Sequence, residues 1–152
     1  MQWYSIVVND ISKLPDFIDY FTNEFAISQK EVKITGRIEK QIAELPGITE
    51  HRFTQLQTIE AVLQYLEIQL RKIRRQYFQK YLENYNRQLS SRDVEKYVDG
   101  EQDVIDMEVL INEVSLLRNR YLGIMKGIDS KAWQLGNITK LRAAGLESFS
   151  ID

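Results

Sequence analysis

Residues 49–89 read TEHRFTQLQTIEAVLQYLEIQLRKIRRQYFQKYLENYNRQL. Within them Leu56, Ile59, Leu63, Leu66, Leu70, Ile73 and Tyr77 follow one another in alternating steps of three and four. That is a heptad seam, the pattern that keeps one stripe of a helix turned toward a partner helix. Thr49 is placed as a cap and the pattern stays helix-compatible to Leu89, so the spacing predicts one helix of about 60 Å at ~1.5 Å per residue. A helix of that length outreaches the core of one small domain, and it must pack in a hairpin or against another subunit. The fold class expected is all-α.

Upstream, Leu14, Phe17, Ile18, Phe21 and Phe25 share one helical face, which predicts a helix over about Leu14–Glu24. Ser28 and Glu31 have capping-box spacing and would open a second helix through Ile34, Ile38, Ile42 and Leu45, closed by Pro46-Gly47. Downstream, Ser90-Ser91 and Asp99-Gly100 punctuate an acidic stretch. The helical pattern resumes over Val104–Ile124, with Gly127 as its expected stop. Asp129 is placed to cap a last helix through Trp133, Ile138 and Leu141 that ends at Gly145. The chain of 152 residues thus reads as a single helical domain: N-terminal helices over 1–48, the long helix over 49–89 and C-terminal helices over 101–145.

Composition excludes several classes of function. With no cysteine there is no disulfide framework, thiolate metal site or thiol nucleophile, which suits a reducing cytosol. The apolar stretch Trp3–Val8 has no basic residues before it, is short for a signal segment and stops at Asn9-Asp10. No segment has the apolar length of a membrane span, so no membrane partner is expected. His51 is the only histidine, which excludes a two-histidine zinc site within one chain. There is no Walker-type or Gly-rich dinucleotide run, so no catalytic residue, metal or cofactor is assigned and the chain is not read as an enzyme.

A net charge of -2 conceals strong segregation. Residues 68–92 carry +6, residues 93–113 carry -7 and residues 114–145 carry +5. Between Ile68 and Leu82 stand Arg71, Lys72, Arg74, Arg75 and Lys80 with no acidic residue, interleaved with Tyr77, Phe78 and Tyr81. Cations that meet phosphates beside rings on which bases stack are the two parts of a single-stranded nucleic-acid site. Rotation of about 100° per residue sets Arg74 near the stripe Tyr77, Tyr81 and Tyr85, with Arg71 and Phe78 beside it. The other reading of the same residues is a solvated basic face over packed aromatics.

A second basic and aromatic set, Arg118, Arg120, Tyr121, Lys126, Lys131, Trp133, Lys140 and Arg142, is dispersed and reads as a solvated face with a core tryptophan. The acidic block Asp93, Glu95, Asp99, Glu101, Asp103, Asp106, Glu108 and Glu113 lacks calcium-loop spacing, and reads as a solvated face or a contact to the basic block. Leu116, Tyr121, Ile124, Trp133, Ile138 and Leu141 are more large apolar residues than a short hairpin buries, and are the expected oligomerisation surface.

Several features occur in a set order: Leu45-Pro46-Gly47-Ile48-Thr49-Glu50-His51-Arg52-Phe53, the basic helix with paired aromatics, an Asp-rich middle, and Leu122–Gly145 (LGIMKGIDSKAWQLGNITKLRAAG). In this order the chain resembles the UvsY-type recombination mediators of T-even-like phages, over about Leu45–Gly145. The resemblance implies a helical protein in the cytoplasm of the infected bacterial host. It would form a homo-oligomeric ring of six or seven subunits and bind single-stranded DNA. It would also help load a UvsX-like recombinase onto DNA coated with the phage single-strand DNA-binding protein, in recombination, repair and replication. The family's short Leu-basic DNA-binding motif would fall on Leu70, Arg71, Lys72, Ile73 and Arg74, and its oligomerising region on Val104–Ala144. One departure is that Gln79–Leu89 stays helix-compatible where the family has a glycine-containing loop. The alternative from another class is a helical oligomeric adaptor that binds only protein partners.

Overall fold

Two long antiparallel helices, packed against each other along most of their length, carry the architecture. The computed structural model describes residues 2–84 and 89–145. In chain order the elements are α1 (Trp3–Asn9), a single 3₁₀ turn (Ile11–Lys13), α2 (Leu14–Glu31), α3 (Ile38–Asn84), α4 (Ser91–Asp99) and α5 (Gln102–Ala143). There is no strand among the described residues, and no described helix is long and apolar enough to cross a membrane.

α3, at 47 residues, is about 70 Å long at ~1.5 Å per residue. Its heptad seam is the one read from the sequence: Leu56, Ile59, Leu63 and Leu66 are buried, and Leu70, Ile73 and Tyr77 half-buried. The partner is α5 of the same chain, so the hairpin answers the length problem. Residues 85–88, with Tyr85, lie outside the described residues; Leu89 is not helical.

Three local expectations are corrected. Ser28 does not open a helix: its hydroxyl donates to the Phe25 carbonyl inside α2 at 2.6 Å, while Glu31 takes Arg52, so neither half of the capping box is available. The break comes at residues 32–37, where Gly36 adopts a left-handed φ of 73° that side chains disfavour. Pro46-Gly47 does not end a helix either, and α3 passes through it. Leu45 before the proline is buried in one cluster with Ile124, Ile128 and Leu135 of α5, and Ile48 after it packs against the same cluster, so both sides of the proline are held to α5. Thr49 is interior, its hydroxyl donating to the Leu45 carbonyl at 2.8 Å. Finally, α5 runs unbroken through Gly127 and Asp129. Gly127 is where Val32 crosses: a Cβ there would meet Val32 Cγ1 at 2.7 Å.

α2 lies along the α3–α5 pair and makes the proximal half a three-helix bundle. Phe17 and Phe21 enter the core with Leu56, Ile59, Val62, Leu63, Leu66, Leu117 and Tyr121, and Val7 of α1 closes it. The Tyr121 hydroxyl donates to the Phe21 carbonyl at 2.8 Å, and burial pushes this phenol's pKa up. A polar knot ties the three helices together. Arg52, only 3% exposed, donates through Nη1 to Glu24 at 2.7 Å and to Gln55 at 2.8 Å, and through Nε and Nη2 to Glu31. Lys131 Nζ, from α5, donates to the Glu31 backbone carbonyl at 2.7 Å, and desolvation holds its pKa down.

Candidate nucleic-acid interface

Beyond Leu66 the third helix is gone. Among the described residues the distal third of α3 is covered only by α4 and the start of α5. Ser90 caps α4 by accepting from the Asp93 backbone N–H at 3.2 Å, and the turn at Gly100 feeds α5. Val94 and Val98 of α4 and Val104 of α5 are buried against Leu70, Ile73, Tyr77, Phe78 and Tyr81. A small apolar cluster therefore takes up the aromatic residues that the sequence offered for base stacking.

Each phenol has a partner in the acidic block. The Tyr77 hydroxyl donates to Asp103 Oδ2 at 2.6 Å, and this bond, then desolvation, pushes its pKa up to about 12. Tyr81 donates to Glu101, and its ring stacks on Tyr97 at 5.4 Å between centroids. Arg74 is paired as well, its Nη1 lying 2.7 Å from Asp99 and 3.8 Å from Glu108. The acidic block thus folds back on the basic helix within the chain. Tyr77, Tyr81 and Arg74 are held by it, and the rings serve as packing rather than as a free stacking platform.

The other cations are treated differently. Arg71, Lys72, Arg75 and Lys80 are exposed and make no ion pair among the described residues. Lys80 Nζ sits 5.8 Å from the centre of the Tyr77 ring. Arg75 lines a shallow cleft of about 300 Å³ with Arg74, Phe78, Glu95 and Val98. Arg71 and Arg75, four apart, fall on one face of α3, and Ile68 and Leu82, 41% and 52% exposed, lie on the same stripe. Sequence reasoning missed these two apolar members. Their signal was position, since both stand off the heptad seam and cannot be buried by α5.

The expected oligomerisation residues separate. Tyr121 and Ile124 are core within the single chain and are corrected as surface candidates. Ile138 is half-buried against the Ile38 and Leu135 cluster. Leu116, Trp133 and Leu141 are exposed. Trp133, expected in a core, is 73% exposed, the most of any large hydrophobic side chain described. In its neighbourhood Lys126, Lys140 and Arg142 are exposed, Lys131 is buried in the polar knot, and Arg120 lies 5.9 Å over the Phe25 ring.

Among the described residues no group of His, Asp and Glu side chains is arranged to hold a metal ion. Comparison with protein-family models, with curated proteins and with solved structures finds nothing that matches this chain.

Proposed function

We propose that the chain is a recombination mediator of the UvsY type: a non-enzymatic single-stranded DNA-binding protein that acts as a homo-oligomer. The observation that supports this best is selective pairing. A block carrying -7 lies against the distal third of α3, yet it neutralises Arg74 and leaves Arg71, Lys72 and Arg75 exposed on the outer side. Adjacent cations left exposed on the side away from the carboxylate block form an electrostatic footprint for a polyanion. Ile68 and Leu82 beside them are suited to apolar contact with bases.

Three or four phosphate contacts per subunit make a weak site. Repetition in a closed ring converts weak sites into tight binding through effective concentration, without new contacts. The exposed residues Ile105, Val109 and Leu116 of α5 recur at heptad spacing with Asn112 between them, and are the surface we assign to subunit contact. DNA held on such a ring in the host cytoplasm would be presented to a UvsX-like recombinase as the phage single-strand DNA-binding protein is displaced. Binding energy does this work, with no bond chemistry.

The same exposed seam is what favours the second reading, an adaptor that binds proteins alone. Salt separates the two. Binding of an oligothymidylate should weaken with salt at a log-log slope of about -2 to -3, taking ~0.7 per phosphate contact. A chain that ignores the oligonucleotide at low salt is the adaptor.

A further inference from the structure

The distal cations leave one feature of the surface unexplained. Trp133 stands on the outer face of α5, 73% exposed, the most of any large hydrophobic side chain described. Its nearest neighbours on the helix surface, three and four residues away, are Asp129, Ser130, Gly136 and Asn137. All four are short, so the indole rises above its surroundings with room along both faces. Among the described residues Gly136 has no packing reason: a Cβ there would meet nothing within 4 Å, although glycine inside a helix costs stability relative to alanine.

Charge completes the site. Lys126 and Lys140 lie seven residues to either side of Trp133, on the same face and exposed, each about 10 Å away along the axis at ~1.5 Å per residue. Residues 114–145 contain six cations and a single carboxylate, Asp129. A subunit interface would set a tryptophan among apolar residues with lysine depleted, whereas this one is set among amide, hydroxyl and ammonium groups and the one carboxylate of Asp129. An aromatic ring open on both faces between two cations is the arrangement that stacks a base and meets the flanking phosphates.

We infer that Trp133, with Lys126 and Lys140, forms a second single-stranded nucleic-acid contact, separate from the cluster on α3. This rests on the proposed function and adds a subsite to it. Glu108, which faces Arg74, is 25 residues from Trp133 on α5. The two contacts are thus about 37 Å apart along the bundle at ~1.5 Å per residue. A strand engaging both must run along the molecule.

Intrinsic fluorescence tests this with the full chain and an oligothymidylate. The chain has two tryptophans, and Trp3 packs on Phe17 and Tyr20. Saturating oligonucleotide should quench the emission, and the Trp133→Phe variant, compared with the unsubstituted chain, should lose most of that quench. Trp133→Ala should weaken binding about five-fold or more, as the loss of one stacked base with ~1–3 kcal/mol implies. Lys126 and Lys140 should steepen the slope beyond what the α3 cations alone give, and Lys126→Ala with Lys140→Ala should remove that excess of about 1.4, at ~0.7 per contact.

Trp133→Ala binding like the unsubstituted chain, while the Arg71, Lys72 and Arg75 alanine variant loses binding, would overturn the inference and leave the proposed function standing. A quench that follows protein concentration without DNA, with Trp133→Ala lowering the mass by light scattering, would also overturn it and make Trp133 a self-contact. No binding by the unsubstituted chain at low salt removes both proposals together.

Discussion

Arginines on a single helix meet opposite fates at the two ends of this molecule. In the proximal half α2 closes the bundle, and Arg52 is enclosed by Glu24, Glu31 and Gln55. In the distal third no such helix is present among the described residues, and Arg71 and Arg75 face outward beside a carboxylate block whose described ion pairs are with Arg74. What an arginine does along α3 is therefore set by its cover. A buried guanidinium with its acceptors satisfied fixes helix register; an exposed one without a partner is available to a ligand.

The largest expected effect is at the enclosed arginine. Arg52→Ala leaves Glu24 and Glu31 partly buried without their hydrogen-bonded cation, Glu31 keeping only the nearby Lys131, and breaking a buried pair in this way costs about 3–5 kcal/mol. Chemical denaturation should register it as a lower midpoint, and thermal unfolding as a fall of about 6–20 °C in Tm, at ~2–4 °C per kcal/mol for a chain of this size. Arg71→Ala should stay within about 0.5 kcal/mol of the parent, as for other surface changes. Equal costs at the two sites would break the comparison.

Acid sharpens it further. The Arg52 hydrogen bond, followed by that of Gln55, holds the Glu24 carboxyl below its ordinary value of 4.5. A carboxyl whose folded pKa lies below its unfolded one contributes stability that is fully present above the unfolded value and lost as pH falls through the folded one. Stability should thus decline below about pH 4.5, and Glu24→Gln should flatten that decline. The exposed arginines pair with no carboxylate among the described residues, so their substitution should leave the pH profile of stability unchanged.

At the open end the expected loss is in binding. Replacing Arg71, Lys72 and Arg75 by alanine removes three phosphate contacts, lowering the log-log salt slope by about 2 at ~0.7 each, while denaturation curves stay superimposable. An unchanged slope would return these residues to the solvated face that was the other reading of the sequence.

How far the sequence showed all this follows from the same contrast. The α3 seam was legible because seven apolar residues in heptad steps report a local periodicity that packing then reinforces. The helix ends were not legible where packing overrode local preference. Pro46 and Gly127 both carry stop signals, but Leu45 beside the proline and Ile128 beside the glycine sit in one apolar cluster that keeps both helices running. At the candidate site the cations were legible as a cluster, but which of them remain free was not. Pairing of Arg74 depends on α4 folding back, and the chain signals that only through Ser90 and Gly100. The polar knot was invisible, since Glu24, Arg52 and Lys131 are far apart in sequence and each alone resembles a surface charge.

Smaller than the loss at Arg52 are the effects of two glycines of α5, and they are expected to differ in sign. At Gly127 an added methyl would lie 2.7 Å from Val32 Cγ1, on a short, branched side chain whose χ1 has little freedom to turn away. Gly127→Ala should therefore cost about 1–2 kcal/mol by forcing the 32–37 connection away from α5, in the range of overpacked cores. At Gly136 the same methyl meets nothing within 4 Å, and the helix gains the alanine preference of about 0.5–1 kcal/mol. Denaturation midpoints for the two variants should thus move in opposite directions. A Gly136→Ala chain that is more stable yet binds oligothymidylate less tightly would mean that this glycine is kept for the strand beside Trp133. If it is more stable and binds equally well, the methyl is small enough to share that surface with a stacked base, and a larger side chain at 136 becomes the sharper probe.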